Sequence, residues 1–429
     1  MLARKEIAFD APQSTGDLLQ NSGTVFVQKS QMGGGSPVIR GFEASRVLLV
    51  VDGVRMNNAI YRAGHLQDIM TMDPNALERI EVISGPASVV YGSDALGGVV
   101  HLMTRSTPFS DSAGTRLFHG GAYARYSTAN DERTAHADIS LGGHKLSSFT
   151  SITASDFGDL RQGQQRLSAY PDFGKKPFTV ERIDGADVAV PNPDPDVQTG
   201  TGYQQLDLLE KLRFRSGTRT THQLNLQMST SSDVPRYDRL SLYSTDSAGA
   251  IVPASAEWYY GPQQRLLAAY TLELEGNGFF DQSQITANGQ RVVQSRHNRN
   301  FGSNSLKNRT EEVTIFGLNA DFEKRIAKHE LRYGLELTRD AVTSSAFSEY
   351  IVTGAVSYLG TRYPGSSTMT HAAAYLTHTV ELNRRWLLSE GVRLSHVGLR
   401  STFSDAEDFQ FLNGTVAQDN TAFNWRAGA

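Results

Sequence analysis

Two hydrophobic patterns divide the chain near residue 108. Before it, apolar residues come in short solid runs. After it, they alternate with polar ones. The run VLLVV, after Arg46 and ending at Val51, predicts a strand buried on both faces. Asp52-Gly53 turns the chain, and ERIEVI (Glu78 to Ile83) predicts a second strand. Gly85-Pro86 and Gly97-Gly98 read as further turns, and the segment between them resumes as a strand through VVHLMT. Upstream, APQSTGDLLQNSG predicts a short helix with Ser14 or Thr15 as its N-cap and Gly23 as its terminator. TVFVQKS alternates as a strand, and Asp73-Pro74 opens a helical turn.

From Leu117 the period is two. Ala135, Ala137, Ile139 and Leu141 share one face; His136, Asp138 and Ser140 share the other. Leu224, Leu226 and Met228 alternate with Gln223, Asn225 and Gln227, and Leu331, Tyr333, Leu335 and Leu337 with Arg332, Glu336 and Thr338. Leu206, Leu208, Leu212 and Phe214 follow the same rule, broken only at Leu209 and Glu210. The polar face carries charges that a dry sandwich core would not accept. One greasy face and one wet face are the pattern of a transmembrane barrel, and roughly ten strands of about 10 residues can be counted. Long polar segments, Leu160 to Thr201 and Pro235 to Pro262, separate some strands; short ones such as SGTRTT separate others. Long loops face outside in such barrels and short turns face the periplasm.

Composition agrees. Of 429 residues only 39% are hydrophobic, and no run is long enough for a membrane helix. A net charge of -4 points to no nucleic acid, and the absence of cysteine removes thiol chemistry. No apolar stretch of signal-peptide type follows Met1, and NTAFNWRAGA near the end reads as the first half of a strand. The expectation is a chain truncated at both ends, holding less than half of a barrel of about 22 strands. GxSxG, HExxH, Walker A and CxxC are all missing, so no enzyme is expected. The unlike alternative is a secreted β-rich adhesin or lectin, whose inner faces would be dry.

PVIRGF, then VLLVVDGVR, then ERIEVISGPASVVYGSDALGG occur in order between Pro37 and Gly98. This succession resembles the plug domain of TonB-dependent outer-membrane receptors, nearest the haem and haemoglobin branch. PRYDRL, AEWYYGPQ and FGSNSLKNRTEE resemble later segments of that branch. The resemblance implies an α+β plug domain (residues 1–108) followed by an antiparallel transmembrane β-barrel (residues 109–429). It implies uptake of an iron-containing ligand across the outer membrane of a Gram-negative bacterium. Haem or haemoglobin-derived haem is the first expectation for cargo and a ferric siderophore the alternative. The partners would be the TonB-ExbB-ExbD complex and outer-membrane lipid, with no intrinsic cofactor.

His65, in RAGHLQ, matches a GHL whose histidine can bind haem iron; Tyr61, Arg62 and Gln67 would share that apical plug loop. The FRAP and NPNL motifs that flank a second haem ligand in that branch are not found. Arg40, Arg79 and Glu81 are expected to form plug-to-wall ion pairs. Tyr123, Tyr126, Trp258, Tyr259 and Tyr260 are expected as girdle aromatics or loop anchors.

Overall fold

The computed structural model describes residues 1–61, 69–84, 88–276, 278–364, 366–403 and 414–428. The first hundred residues build a five-stranded sheet: β1 (Leu2–Ala3), β2 (Val47–Val51), β3 (Val54–Arg55), β4 (Leu77–Ser84) and β5 (Gly98–Thr104), in the spatial order β1-β4-β5-β2-β3. β2 runs parallel to β5 and is buried at all five positions, as its unbroken apolar run requires. Asp52 and Gly53 stand at φ of 48° and 84°, the left-handed pair that joins β2 to β3 in a tight hairpin.

The helix Thr15–Asn21 starts at Ser14, whose hydroxyl accepts from the Asp17 N–H at 3.1 Å. Its Leu18 and Leu19 pack with Ile39, Leu49, Ile80 and Leu102 into the module's core. Gly97-Gly98 is a close approach as well as a turn. A Cβ on Gly97 would stand 2.5 Å from Phe42, and one on Gly98 would stand 2.6 Å from the Ile83 carbonyl.

The wall follows: β6 (Leu117–Ser127), β7 (Glu132–Gly142), β8 (Leu146–Phe157), β9 (Tyr203–Arg215), β10 (Thr220–Ser231), β11 (Gln264–Glu275), β12 (Gln282–Asn300), β13 (Ser305–Ile326), β14 (His329–Tyr350), β15 (Ser366–Asn383), β16 (Trp386–Phe403) and β17 (Gly414–Gly428). Each pairs antiparallel with the next, and β6 and β17 do not pair with each other. The sheet is an arc wrapped around the first module.

Its burial is inside out. Along β7, Glu132, Thr134, His136 and Asp138 are buried while Arg133, Ala135, Ala137, Ile139 and Leu141 are exposed. Leu208, Leu226, Leu266, Phe316, Leu335 and Leu394 form the same exposed belt on other strands. A lipid-facing surface gives this order, and a β-sandwich gives the reverse.

Twelve wall strands exceed the count of roughly ten made from alternation. The upper halves of β12, β13 and β14 hide it, because Val292, Val313, Ile315 and Val342 turn inward there and cluster with Ile60 and Tyr61. The break at Leu209-Glu210 has the same cause. Leu209 faces in and packs on Ala76 and Phe149, and Glu210 faces out, its carboxylate accepting from the Thr150 hydroxyl at 2.5 Å.

The segment between β8 and β9 is ordered by buried polar contacts. The Asp159 carboxylate accepts from the N–H groups of Gly200, Thr201 and Gly202 at 2.8–3.0 Å. Lys176, 6% exposed, donates to the Thr199 carbonyl at 2.6 Å and lies 5.5 Å from the Tyr237 ring centroid. Burial pushes its amine down to about 8, against the pull of Asp159.

Two outcomes follow for this fold. Leu208→Arg should destabilise the protein in lipid by about 2–4 kcal/mol by urea titration, whereas Glu210→Leu should cost nothing. For Lys176 the unfolded segment holds more protons than the folded one between about pH 8 and the ordinary lysine value of 10.5, so stability rises with pH across that window. Protease protection of residues 158–202 should increase from pH 7.5 to 10, and Lys176→Met should flatten the trend.

Candidate functional site

The site has two parts: a polar seam where the plug-like module meets the wall, and an aromatic and basic vestibule above it. At the centre of the seam is Arg55, at the end of β3. Its Nε and Nη2 donate to Glu336 Oε1 at 3.2 and 2.9 Å, Nη1 donates to Asp94 Oδ2 at 2.6 Å, and Nη2 also reaches the Tyr91 carbonyl at 2.9 Å. Arg393 of β16 donates to the other Glu336 oxygen at 2.6 Å and to the Val90 carbonyl at 2.8 Å. The four side chains are between 4% and 22% exposed. Two guanidinium groups meet two carboxylates directly, and the buried Asp340 adds a third negative group near Arg55. Burial works against the Arg55 charge, yet Glu336 and Asp94 raise its pKa above the ordinary arginine value.

A second cluster forms at the β2–β3 turn. Asp52 accepts from the Thr104 N–H at 2.9 Å and hydroxyl at 2.6 Å, from Asn225 Nδ2 at 2.8 Å, and lies 3.1 Å from Lys211 Nζ. A third joins Arg105 to Asp138 at 2.8 Å over the Phe149 ring, with His136 and Thr153 leading on to Asp73.

Between these clusters the wall grips main chain. Gln290 donates to the Arg55 carbonyl at 3.0 Å, Asn319 to Gly53 at 3.1 Å, Gln205 to Met70 at 2.7 Å, Lys211 to Thr104 at 3.0 Å and Tyr363 to Ile60 at 3.1 Å.

The sequence-derived residues are distributed differently from expectation. Arg79 Nε meets Glu81 Oε1 at 2.9 Å, so this pair closes within β4 instead of reaching the wall; residues two apart share a strand face. Arg40 is exposed in a turn at φ 55° and joins no ion pair among the described residues. Tyr61, 8% exposed, packs in the apolar cluster under the vestibule. Arg62, His65 and Gln67 lie outside the described residues. Tyr123 turns inward, its hydroxyl donating to Asn75 and its ring 5.2 Å from His136, so it is a contact to the module and not a girdle residue. Tyr126 is exposed and donates to Asp131 at 2.9 Å.

Sequence reasoning placed Asp138 and Glu336 on the polar face but could not name their partners. Arg55 and Asp52 were missed as contacts. The signal for both was the VDGVR turn, which leaves an acid and a base beside a strand end.

The vestibule uses the short strand Ser255–Tyr260, which pairs with the upper end of β12. Trp258 and Tyr260 meet edge to face at 4.9 Å, with the Arg236 guanidinium 4.6 Å from the first ring and 5.8 Å from the second. Arg236 forks onto Asp238 at 2.7 and 3.1 Å and donates to the Tyr260 hydroxyl at 3.1 Å. Tyr259, on the opposite face of the strand, stacks on His297 at 4.7 Å. Among the described residues no three His, Asp or Glu side chains converge on a metal-sized point.

Residues 2–99 match the family described as TonB-dependent Receptor Plug Domain, so the first module is such a plug. The chain is 36% identical over 124 residues to the vitamin B12 transporter BtuB of Vibrio vulnificus (strain CMCP6), a match covering 28% of this chain and 20% of that protein. The whole chain resembles solved structures at low identity. The copper transporter OprC superposes with a TM-score of 0.70 at 13% identity, over 99% of this chain and 59% of that one. The FrpB iron transporter from Neisseria meningitidis (F3-3 variant) gives 0.68 at 14%, over 98% and 59%. The ferric-catecholate import receptor Fiu from E. coli K12 gives 0.60 at 16%, over 99% and 66%. The chain thus spans a fifth of the curated relative and about three fifths of the first solved structures. These likenesses establish a plug domain followed by a large antiparallel sheet with the fold of those transporters' barrels.

Removing Glu336 tests the seam. Glu336→Ala leaves two buried guanidinium groups facing each other, and breaking such a pair costs about 3–5 kcal/mol. Hydrogen exchange should accelerate in β3 and in residues 88–95, with little change in the outer belt of the wall.

Proposed function

We propose that the chain contains the plug and part of the wall of a TonB-dependent outer-membrane transporter of a Gram-negative bacterium. It takes up an iron-containing ligand. The observation that carries this reading is the enclosure of a small polar-faced plug by a wall that is apolar outside and charged inside. Much of such a plug's seam can be exchanged for water at about 0.5–1.5 kcal/mol per neutral hydrogen bond and about 1.5–3 kcal/mol per charged one, with only small apolar clusters such as that of Ile60 and Tyr61 to be opened. The work of displacement would come from the TonB-ExbB-ExbD complex acting on the plug from the periplasmic side.

Cargo docks on the outer loops and the apical plug loop. Haem, free or drawn from haemoglobin, is the first reading, from the RAGHLQ segment and its His65, with Tyr61, Arg62 and Gln67 beside it. A ferric siderophore is the second. It is favoured by the arginine and aromatic lining around Trp258 and by the likeness to a receptor named for ferric catecholate. Haem and a ferric catecholate are both anionic and carry flat conjugated rings, which suits guanidinium and ring contacts alike.

The test uses the complete receptor in cells with and without TonB. Radio-iron delivered as haem should enter only when TonB is present. Haem added to purified receptor should shift the Soret band, and His65→Ala should lower affinity tenfold or more. A TonB-dependent uptake of ferric siderophore with no Soret shift would select the second cargo. Uptake of neither would refute an iron-ligand transporter.

A further inference from the structure

A group of metal-ligating side chains stands on the outer face of the wall, away from the seam and the vestibule. His329 opens β14 directly after the short Ala327-Lys328 turn, His378 lies five residues before the end of β15, and Glu390 lies four residues after the start of β16. Short turns mark the periplasmic rim, so all three sit close to it. Leu331, His378 and Glu390 form one cross-strand row, and His329 is diagonal to His378. The period of two puts the three on the face of Leu335, Leu376 and Leu394, in the exposed belt, while Glu336, Thr377 and Arg393 face in. The wall therefore separates them from the plug.

The two imidazoles meet end on. His329 Nδ1 is 2.8 Å from His378 Nε2, the ring planes differ by 12°, and the ring centres are 5.1 Å apart. That spacing equals the nitrogen contact plus two ring radii of about 1.15 Å each, so both nitrogens lie on the line between the centres. The rings are thus close to coplanar, each nitrogen pointing at the other, and neither ring covers its neighbour. On the far side of His378, Nδ1 is 2.9 Å from Glu390 Oε1. A carboxylate only accepts, so the His378 proton sits on Nδ1 and the Nε2 lone pair looks into the gap. Metal-bound histidines are oriented in this way, by a carboxylate on the other ring nitrogen.

We infer that His329 Nδ1 and His378 Nε2 form a two-nitrogen site for a divalent transition-metal ion (Zn²⁺, Cu²⁺ or Ni²⁺), with Glu390 as its positioning residue. Without a bound ion, the Nδ1 hydrogen of His329 fills the gap. On binding, that proton moves to Nε2 of the same ring, and the freed lone pair takes the ion with no net proton release. Tetrahedral bonds of about 2.05 Å set two nitrogens about 3.3 Å apart, so the gap has to open by only about half an ångström. Both rings are at least partly exposed and can supply this by side-chain rotation. Water completes the coordination, since among the described residues no third His, Asp or Glu converges on the point. Imidazole suits zinc, copper and nickel, whereas magnesium and calcium take oxygen ligands. The ion would tie β14 to β15, and Glu390 extends the hold to β16. Nothing here depends on the transport reading, because the ion is held on the lipid side of the wall and is not cargo.

The test uses the complete receptor in detergent, without a histidine tag and stripped with EDTA. Calorimetric titration with zinc chloride should show one equivalent that His329→Ala and His378→Ala each remove or weaken about tenfold or more, and that magnesium chloride does not reproduce. Glu390→Gln keeps both rings and the side-chain shape, and should weaken the same equivalent about tenfold or more. Copper(II) bound to the parent should show splitting from two imidazole nitrogens by electron paramagnetic resonance, reduced in His378→Ala. Zinc should raise the melting temperature of the parent and not that of His378→Ala. The melting temperature of each variant without metal checks that its wall is intact.

A parent receptor that binds no zinc overturns the site. So does equal zinc affinity and stoichiometry in the double variant His329→Ala and His378→Ala, or a copper spectrum of the parent with a single nitrogen. Equal affinity in Glu390→Gln overturns the role given to Glu390.

Discussion

Glu336 sits where a charge is costly, and its cost is offset from both sides of a boundary. Arg55 belongs to the plug and Arg393 to the wall, and one carboxylate satisfies both. The rest of the seam repeats this logic at Asp52 with Lys211 and at Asp138 with Arg105. An inward face carrying Asp, Glu, Lys and Arg would be untenable in a closed apolar core. It becomes stable when the enclosed body presents complementary groups and tolerates water between them. The reversed burial of the wall strands follows from the same condition. Apolar side chains have only the outside left, where lipid is the solvent.

Much of this was legible in the sequence, and for a physical reason. Alternation is enforced by the pleat, so His136, Asp138 and Glu336 had to share a face with other polar residues, and Ile139 and Leu335 the opposite one. The solid run before Asp52 likewise marked a strand covered on both sides. What escaped was pairing across distance. Arg55 and Glu336 are separated by 281 residues, and nothing local distinguishes them from surface charges. Arg79 and Glu81 were the more conspicuous pair because they are adjacent on one strand, and adjacency is why they satisfy each other. Inward apolar residues such as Leu209 and Val313 broke the alternation where the wall touches apolar parts of the plug, so the strand count came out low.

The two halves of the site place opposite demands on the wall. The seam has to be charge-balanced, since an uncompensated ion there would either unseat the plug or draw in solvent. The vestibule is held to this less strictly, because it is open and its charges are screened by solvent. The strand extensions of β12 and β13 serve both: Val292 and Val313 roof the plug, and a few residues further on Arg296 and Arg309 continue the same face beyond it. One pair of strands therefore connects the surface that would meet cargo to the surface that holds the plug.

The wall's amide, amine and phenol groups mostly grasp plug carbonyl oxygens: those of Arg55, Gly53, Met70, Thr104 and Ile60. A carbonyl is the same whatever residue bears it. Over evolutionary time the plug could therefore exchange many of its side chains while keeping its seat, provided its backbone path is preserved. Sequence change would then be channelled into surfaces away from that backbone path, with the fit between cork and bottle inherited unchanged.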